Sequence, residues 1–128
     1  MRDLLAETHV RTDDLIAPLF VREGIAEPQP IQSLKGVMQH TRDSLRAEVV
    51  ELAALGVKSV ILFGVPAEKD AVGSGAYDPD GIVQLALGDL RVEVGDDMVV
   101  MSDLCVDEYT SHGHCGIVDE HGVVDNDK

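Results

Sequence analysis

The stretch TRDSLRAEVVELAALGVKSVILF, residues 41–63, decides the fold class. Thr41 or Asp43 offers an N-cap, since either side chain can accept from a free N–H of a first helical turn. Leu45, Val49, Leu52 and Ala53 then recur at helical spacing, and Gly56 stands where a helix closes through a left-handed residue. Val57 to Phe63 follows at once. Its run Val60-Ile61-Leu62-Phe63 lacks polar alternation, the pattern of a parallel strand covered on both faces.

The same unit recurs downstream. Asp78-Pro79 reads as a helix start, with Asp as N-cap and Pro at the first helical position. Ile82, Val83, Leu85, Ala86 and Leu90 supply the apolar face, and Gly95 ends the helix. Gly88 inside it costs about 1 kcal/mol relative to Ala. Met98-Val99-Val100-Met101 is the next buried strand. Upstream, Leu15 to Val21 is a strand, although Pro18 removes a ladder donor. Residues 24–40 carry Gly24, Pro28, Pro30 and Gly36 and read as a loop. The order is strand, loop, helix, strand, loop, helix, strand, long loop, which predicts an α/β fold with a parallel sheet in one domain over 1–128. Three strands and two helices are thin, and the outer strands are expected to lack partners.

Composition narrows the function. The 128 residues hold 10 Lys and Arg against 24 Asp and Glu, a net charge of −14. Nucleic acid and anionic membrane surfaces both need a basic face, so neither is an expected partner. Aromatic residues are 3% of the chain, too few for a base-stacking platform. No run of about 18 apolar residues suggests a transmembrane helix. The opening Met1-Arg2-Asp3-Leu4-Leu5-Ala6-Glu7 turns acidic too early for a secretory signal. The expected compartment is the reducing cytoplasm, where two nearby cysteines more often bind metal or react than cross-link.

The chemistry concentrates in SDLCVDEYTSHGHCG, residues 102–116, just past the carboxyl end of the third predicted strand. Parallel sheets and barrels bind ligands at that edge. Cys105 and Asp107 are two apart, so an extended backbone points them to one side. Gly113 and Gly116 permit a turn that returns Cys115 towards them. Thiolate, imidazole and carboxylate together suit zinc, and the carboxylate admits magnesium. Two cysteines ten apart match no structural zinc-finger spacing, and a buried Cys or a loop His packs without any metal. Metal binding and ordinary packing therefore stand side by side on composition. Asp78-Pro79-Asp80-Gly81 lacks the closing Glu of a calcium loop. Gly73-Ser74-Gly75 lacks the lysine of a phosphate loop. Lys35, Lys58, Lys69 and Lys128 read as solvated amines.

The run from Asp103 to Gly116 resembles the metal loop of the 5-aminolevulinate dehydratase (porphobilinogen synthase) family. Glu7-Thr8 with Asp14 to Val21 is similar to that family's first barrel strand and its approach. Lys35-Gly36-Val37 resembles a turn, Leu62 to Val65 with Lys69-Asp70 and Gly73-Ser74 a second strand and its loop, and Val124 to Asp127 a later segment. The resemblance implies a TIM (β/α)8 barrel, of which this chain holds three N-terminal strands and two helices, continuing beyond Lys128. It implies condensation of two 5-aminolevulinate molecules to porphobilinogen with loss of water. The family's two Schiff-base lysines match no lysine here, so the chain is expected to be inactive alone. Cys105 and Cys115 match two of three cysteines of the zinc-type loop, and Asp107 stands in place of the middle one. Zinc is the expected cofactor, with magnesium the other choice. Asp103 matches an active-site carboxylate, Phe63 part of the substrate wall, and His112 and His114 shape the loop. The family also implies a homo-oligomer of the octameric kind. The other class this composition admits is a small, acidic, non-catalytic metal-binding α/β module.

Overall fold

The computed structural model describes residues 3–127; Met1 and Arg2, where the reading of the N-terminus starts, and Lys128 lie outside the described residues. The elements in chain order are β1 (Ile16–Arg22), β2 (Gln29–Pro30), β3 (Met38–His40), α1 (Arg42–Ala54), β4 (Ser59–Val65), α2 (Ile82–Val94) and β5 (Val99–Ser102). Short 3-10 turns cover Asp3–Leu5, Thr12–Asp14 and Ser74–Ala76. Among the described residues no helix is long and apolar enough to cross a membrane.

The strands form one sheet in the order β2-β3-β1-β4-β5. β3, β1, β4 and β5 run parallel, and β2 is antiparallel to β3. The expected α/β fold with parallel strands is present, with two strands more than the three predicted. Residues 24–40 are not all loop. Gln29–Pro30 pairs with Met38–His40, which in turn covers the edge of β1 through Phe20↔Gln39 and Val21↔His40. An unpaired edge is a liability, and this short hairpin removes it on the β1 side. Pro18 is accommodated within β1, beside Ile61.

α1 begins where the sequence places it. Thr41 Oγ1 accepts from Ser44 N–H at 3.1 Å, and Gly56 turns the chain with φ +89°. α2 starts later than Asp78-Pro79 predicts. Asp78 accepts from Asp80 N–H at 2.9 Å through its side chain and from Gly81 N–H at 2.9 Å through its carbonyl, so it closes a turn instead of capping a helix. Gly81 is the N-cap, and its carbonyl takes the first helical bond, from Leu85 N–H at 3.0 Å.

Both helices cover one face of the sheet. Leu19 and Val21 of β1 and Val60 and Leu62 of β4 pack with Leu45 and Val49 of α1 and with Val83, Ala86 and Leu90 of α2. Truncating one such fully buried leucine to alanine costs ~2–5 kcal/mol. The helices are clamped by two parallel ion pairs four residues apart on each, Arg42–Asp89 at 2.6 Å and Arg46–Glu93 at 2.8 Å. The opposite sheet face is open, against the expectation of strands covered on both sides. Ile61 and Phe63 are only half-buried there, and Phe20 and Phe63 stack on each other with ring centroids 5.1 Å apart.

Candidate metal centre at the carboxyl edge of the sheet

The carboxyl ends of β1, β4 and β5 line up at one edge, and the loop that follows β5 lies along it. Asp103 continues the ladder, its N–H donating to Leu62 O at 3.0 Å. By strand alternation it falls on the open face, beside Phe63. The chain then leaves the sheet through Leu104, which is 99% exposed, and enters the Cys105–Cys115 segment.

Cys105, Asp107 and Cys115 converge. Their ligand atoms all lie within 4.8 Å of one another, with Cys105 and Asp107 half-buried and Cys115 exposed. The turn that achieves this uses Gly113 at φ +72°, a conformation that favours glycine. The cysteine Cα atoms are 5.6 Å apart, and the two sulfurs are joined as a disulfide. The sequence reading places metal binding or reactivity ahead of a cross-link for this pair; here the sulfurs are bonded, at a Cα separation within the range a disulfide spans. The same convergence suits a metal once the bond is reduced, because thiolates are the ligating form. Two thiolates and a carboxylate form a three-ligand set that leaves one tetrahedral position open, so the residues fit a catalytic zinc.

The loop is held by its neighbours. Asp70 and Thr110 form a parallel bridge, with Asp70 N–H to Tyr109 O at 3.3 Å and Ser111 N–H to Asp70 O at 2.8 Å. The Asp70 carboxylate accepts from Val72 N–H, Ser74 N–H and Ser74 Oγ–H, which hold it below the usual carboxylate range, the Ser74 hydroxyl most of all. Thr110, 2% exposed, donates to His114 O at 3.0 Å. His112 donates through Nε2 to Ala71 O at 3.1 Å and accepts through Nδ1 from His114 N–H at 3.2 Å. Both ring nitrogens are thereby used in shaping the loop.

Sequence reading passed over Glu108 and Tyr109. Glu108 accepts from Gly64 N–H at 3.2 Å. Burial pushes its carboxyl up to about 7; Gly64 N–H and Lys69 oppose, and the charges of Asp103 and Asp107 add to the rise. Burial likewise pushes the Tyr109 phenol up to about 12, with Glu108 and Asp103 adding. Tyr109 packs against Gly64 so closely that a Cβ there would overlap its hydroxyl and Val83. The signal for both residues was their position inside the loop motif; their partner Gly64 lies 44 residues away from Glu108. A cavity of about 140 Å³ is lined by Ser102, Asp103, Cys105 and Tyr109 together with Gln84 and Leu87 of α2. Phe63 does not line it; it stays with Phe20 on the open sheet face.

Comparison with known proteins agrees with this geometry. The delta-aminolevulinic acid dehydratase family model matches residues 1–128. The chain is 55% identical to the delta-aminolevulinic acid dehydratase of Streptomyces coelicolor over 129 aligned residues, covering 99% of this chain and 39% of the relative. It is 52% identical to that of Mycobacterium tuberculosis H37Rv, with the same coverage. It therefore spans about two-fifths of the length of these relatives. The crystal structure of the Toxoplasma gondii enzyme in complex with the reaction product porphobilinogen superposes with a TM-score of 0.90 at 34% identity, over 98% of this chain and 36% of that one. The chain belongs to the delta-aminolevulinic acid dehydratase family.

Proposed function

We propose that this chain forms the metal-bearing part of a porphobilinogen synthase, a hydro-lyase that condenses two 5-aminolevulinate molecules to porphobilinogen with loss of water in tetrapyrrole and haem biosynthesis. The observation that carries the reading is the convergence of Cys105, Asp107 and Cys115 within 4.8 Å at the carboxyl edge of a parallel sheet. The likeness to the porphobilinogen complex from Toxoplasma supports a small-molecule substrate of this kind. In this reading β1, β4 and β5 are the first three strands of a TIM barrel, and their open face with Phe20 and Phe63 is part of its interior.

Cys105 and Cys115 hold zinc as thiolates and Asp107 is the third, weaker ligand; magnesium is the second choice, because a carboxylate replaces one thiolate of the zinc-type loop. The metal, when bound, supplies a Lewis acid next to the substrate. Asp103, at the strand end, orients the substrate amine or takes its proton. Phe63 gives the substrate an apolar wall. His112 fixes the loop through its two hydrogen bonds. A cytoplasmic location fits this reading, since that compartment keeps both thiols in the reduced form that binds metal. The family resemblance implies a homo-oligomer of the octameric kind, and exposed Leu4, Leu5 and Val10 leave apolar surface ahead of β1 that such a contact would cover.

Two measurements test the reading. In the reduced chain, Cys105→Ala and Cys115→Ala should each weaken zinc strongly in competition with a chelator, and His112→Ala should weaken it less. Unchanged affinity in both cysteine variants overturns thiolate ligation. The isolated 128 residues should form no porphobilinogen from 5-aminolevulinate, for want of the Schiff-base lysines; turnover would refute the division of labour proposed here.

A further inference from the structure

Beyond β5 the β4 backbone loses its partner. Leu62 O still receives Asp103 N–H at 3.0 Å, but β5 ends at Ser102. In a parallel ladder alternate residues present both backbone groups to the same neighbour. Leu62 and Gly64 therefore face the β5 side, where the Gly64 N–H has no strand to meet. Glu108 meets it instead, its Oε2 accepting at 3.2 Å. The segment 103–108 is thus pinned at both ends to adjacent points on one rigid strand, Leu62 O and Gly64 N. Cys105 and Asp107, two of the three converging ligands, lie between those pins.

We infer that Glu108 is a positioning residue of the metal site: its carboxyl, docked on Gly64 N–H, fixes the span that brings Cys105 and Asp107 to Cys115. The inference rests on the reading that these three residues hold a metal. It assigns Glu108 no contact with metal or substrate. The geometry demands reach and an acceptor oxygen. Glutamine supplies both; aspartate is one methylene too short; alanine supplies neither.

The test is zinc affinity of the reduced chain by chelator competition, with cobalt(II) absorption as a reporter of ligand geometry. Glu108→Ala and Glu108→Asp should each weaken zinc by about 10- to 100-fold, the usual effect of removing a residue that orients metal ligands. Both should alter the cobalt thiolate and ligand-field bands. Glu108→Gln should keep the parent affinity and spectrum. A purely structural role would lower the unfolding midpoint of Glu108→Ala and leave the folded protein's zinc affinity and cobalt spectrum unchanged; that outcome overturns the inference. Loss in Glu108→Gln equal to that in Glu108→Ala overturns it also, since charge and not reach would then govern. Should Glu108→Ala not fold, Glu108→Asp against Glu108→Gln decides. Cys105→Ala separates the two levels. If it leaves zinc affinity unchanged, the metal reading fails and this inference with it. If it weakens zinc while Glu108→Asp does not, only this inference fails.

Discussion

At the scale of single residues, the site depends on Gly64 and Asp107 in different ways. Gly64 matters for what it lacks. A methyl group there would overlap both the Tyr109 hydroxyl and Val83, one from the metal loop and one from α2. Neither can retreat easily, as both belong to the buried core. Gly64→Ala should therefore cost ~1–3 kcal/mol, the usual penalty of overpacking, read as a lower urea midpoint with an unchanged slope. Because Tyr109 is displaced with the loop, zinc affinity should fall as well. Asp107 matters for the atom it offers. Oxygen is harder than sulfur, so a Cys-Asp-Cys set favours zinc less strongly than three thiolates would. Asp107→Cys should tighten zinc and weaken magnesium, measured by competition between the two ions in the reduced chain. A variant that binds magnesium more tightly than its parent would contradict this ligand assignment.

At the scale of elements, the two helix starts show what local sequence specifies. α1 was legible because its cap, its apolar period and its closing Gly56 all lie within sixteen residues. α2 was misplaced at its start because Asp78 satisfies two cap rules and yet spends its oxygens on the turn to Asp80 and Gly81. The difference is measurable. Thr41→Ala should destabilise by about 1 kcal/mol, as loss of a true N-cap does. Asp78→Ala should cost less, and peptide helicity across residues 82–94 should not change. β2 and β3 were illegible for another reason. Two and three residues are too few to show a period, and they form strands because β1 has an edge to be covered. In the site, the convergence of Cys105, Asp107 and Cys115 was legible because their spacing and the turn at Gly113 are local. The role of Glu108 was not, since it depends on where β5 stops beside β4.

At the scale of the whole molecule, pH acts through a buried histidine and a half-buried glutamate of opposite sense. His40, on β3 and 7% exposed, faces Ser44 Oγ at 3.2 Å, and burial holds its imidazole below 6.5 against the opposing charge of Glu48. A lowered histidine keeps the fold intact above its unfolded value and withdraws stability as pH falls through its folded one. Glu108 is the reverse. Its carboxyl is raised from 4.5 to about 7, so its contribution is whole below 4.5 and is lost as pH climbs to about 7. Just below 6.5, where the His40 slope begins, the two slopes oppose each other. The net charge of −14 adds repulsion that grows with pH, but it is common to any single variant at either site. Removing one group should therefore expose the slope of the other. Glu108→Gln, which keeps the hydrogen bond to Gly64 without the titration, should become more stable relative to parent as pH rises from 5 to 7. His40→Gln should gain relative to parent as pH falls over the same interval. Urea midpoints at pH 5, 6 and 7 decide it. Were the Glu108→Gln profile to run parallel to the parent's, the carboxyl would be ionised in both states, and the burial assigned to it beside Asp103 and Asp107 would be wrong.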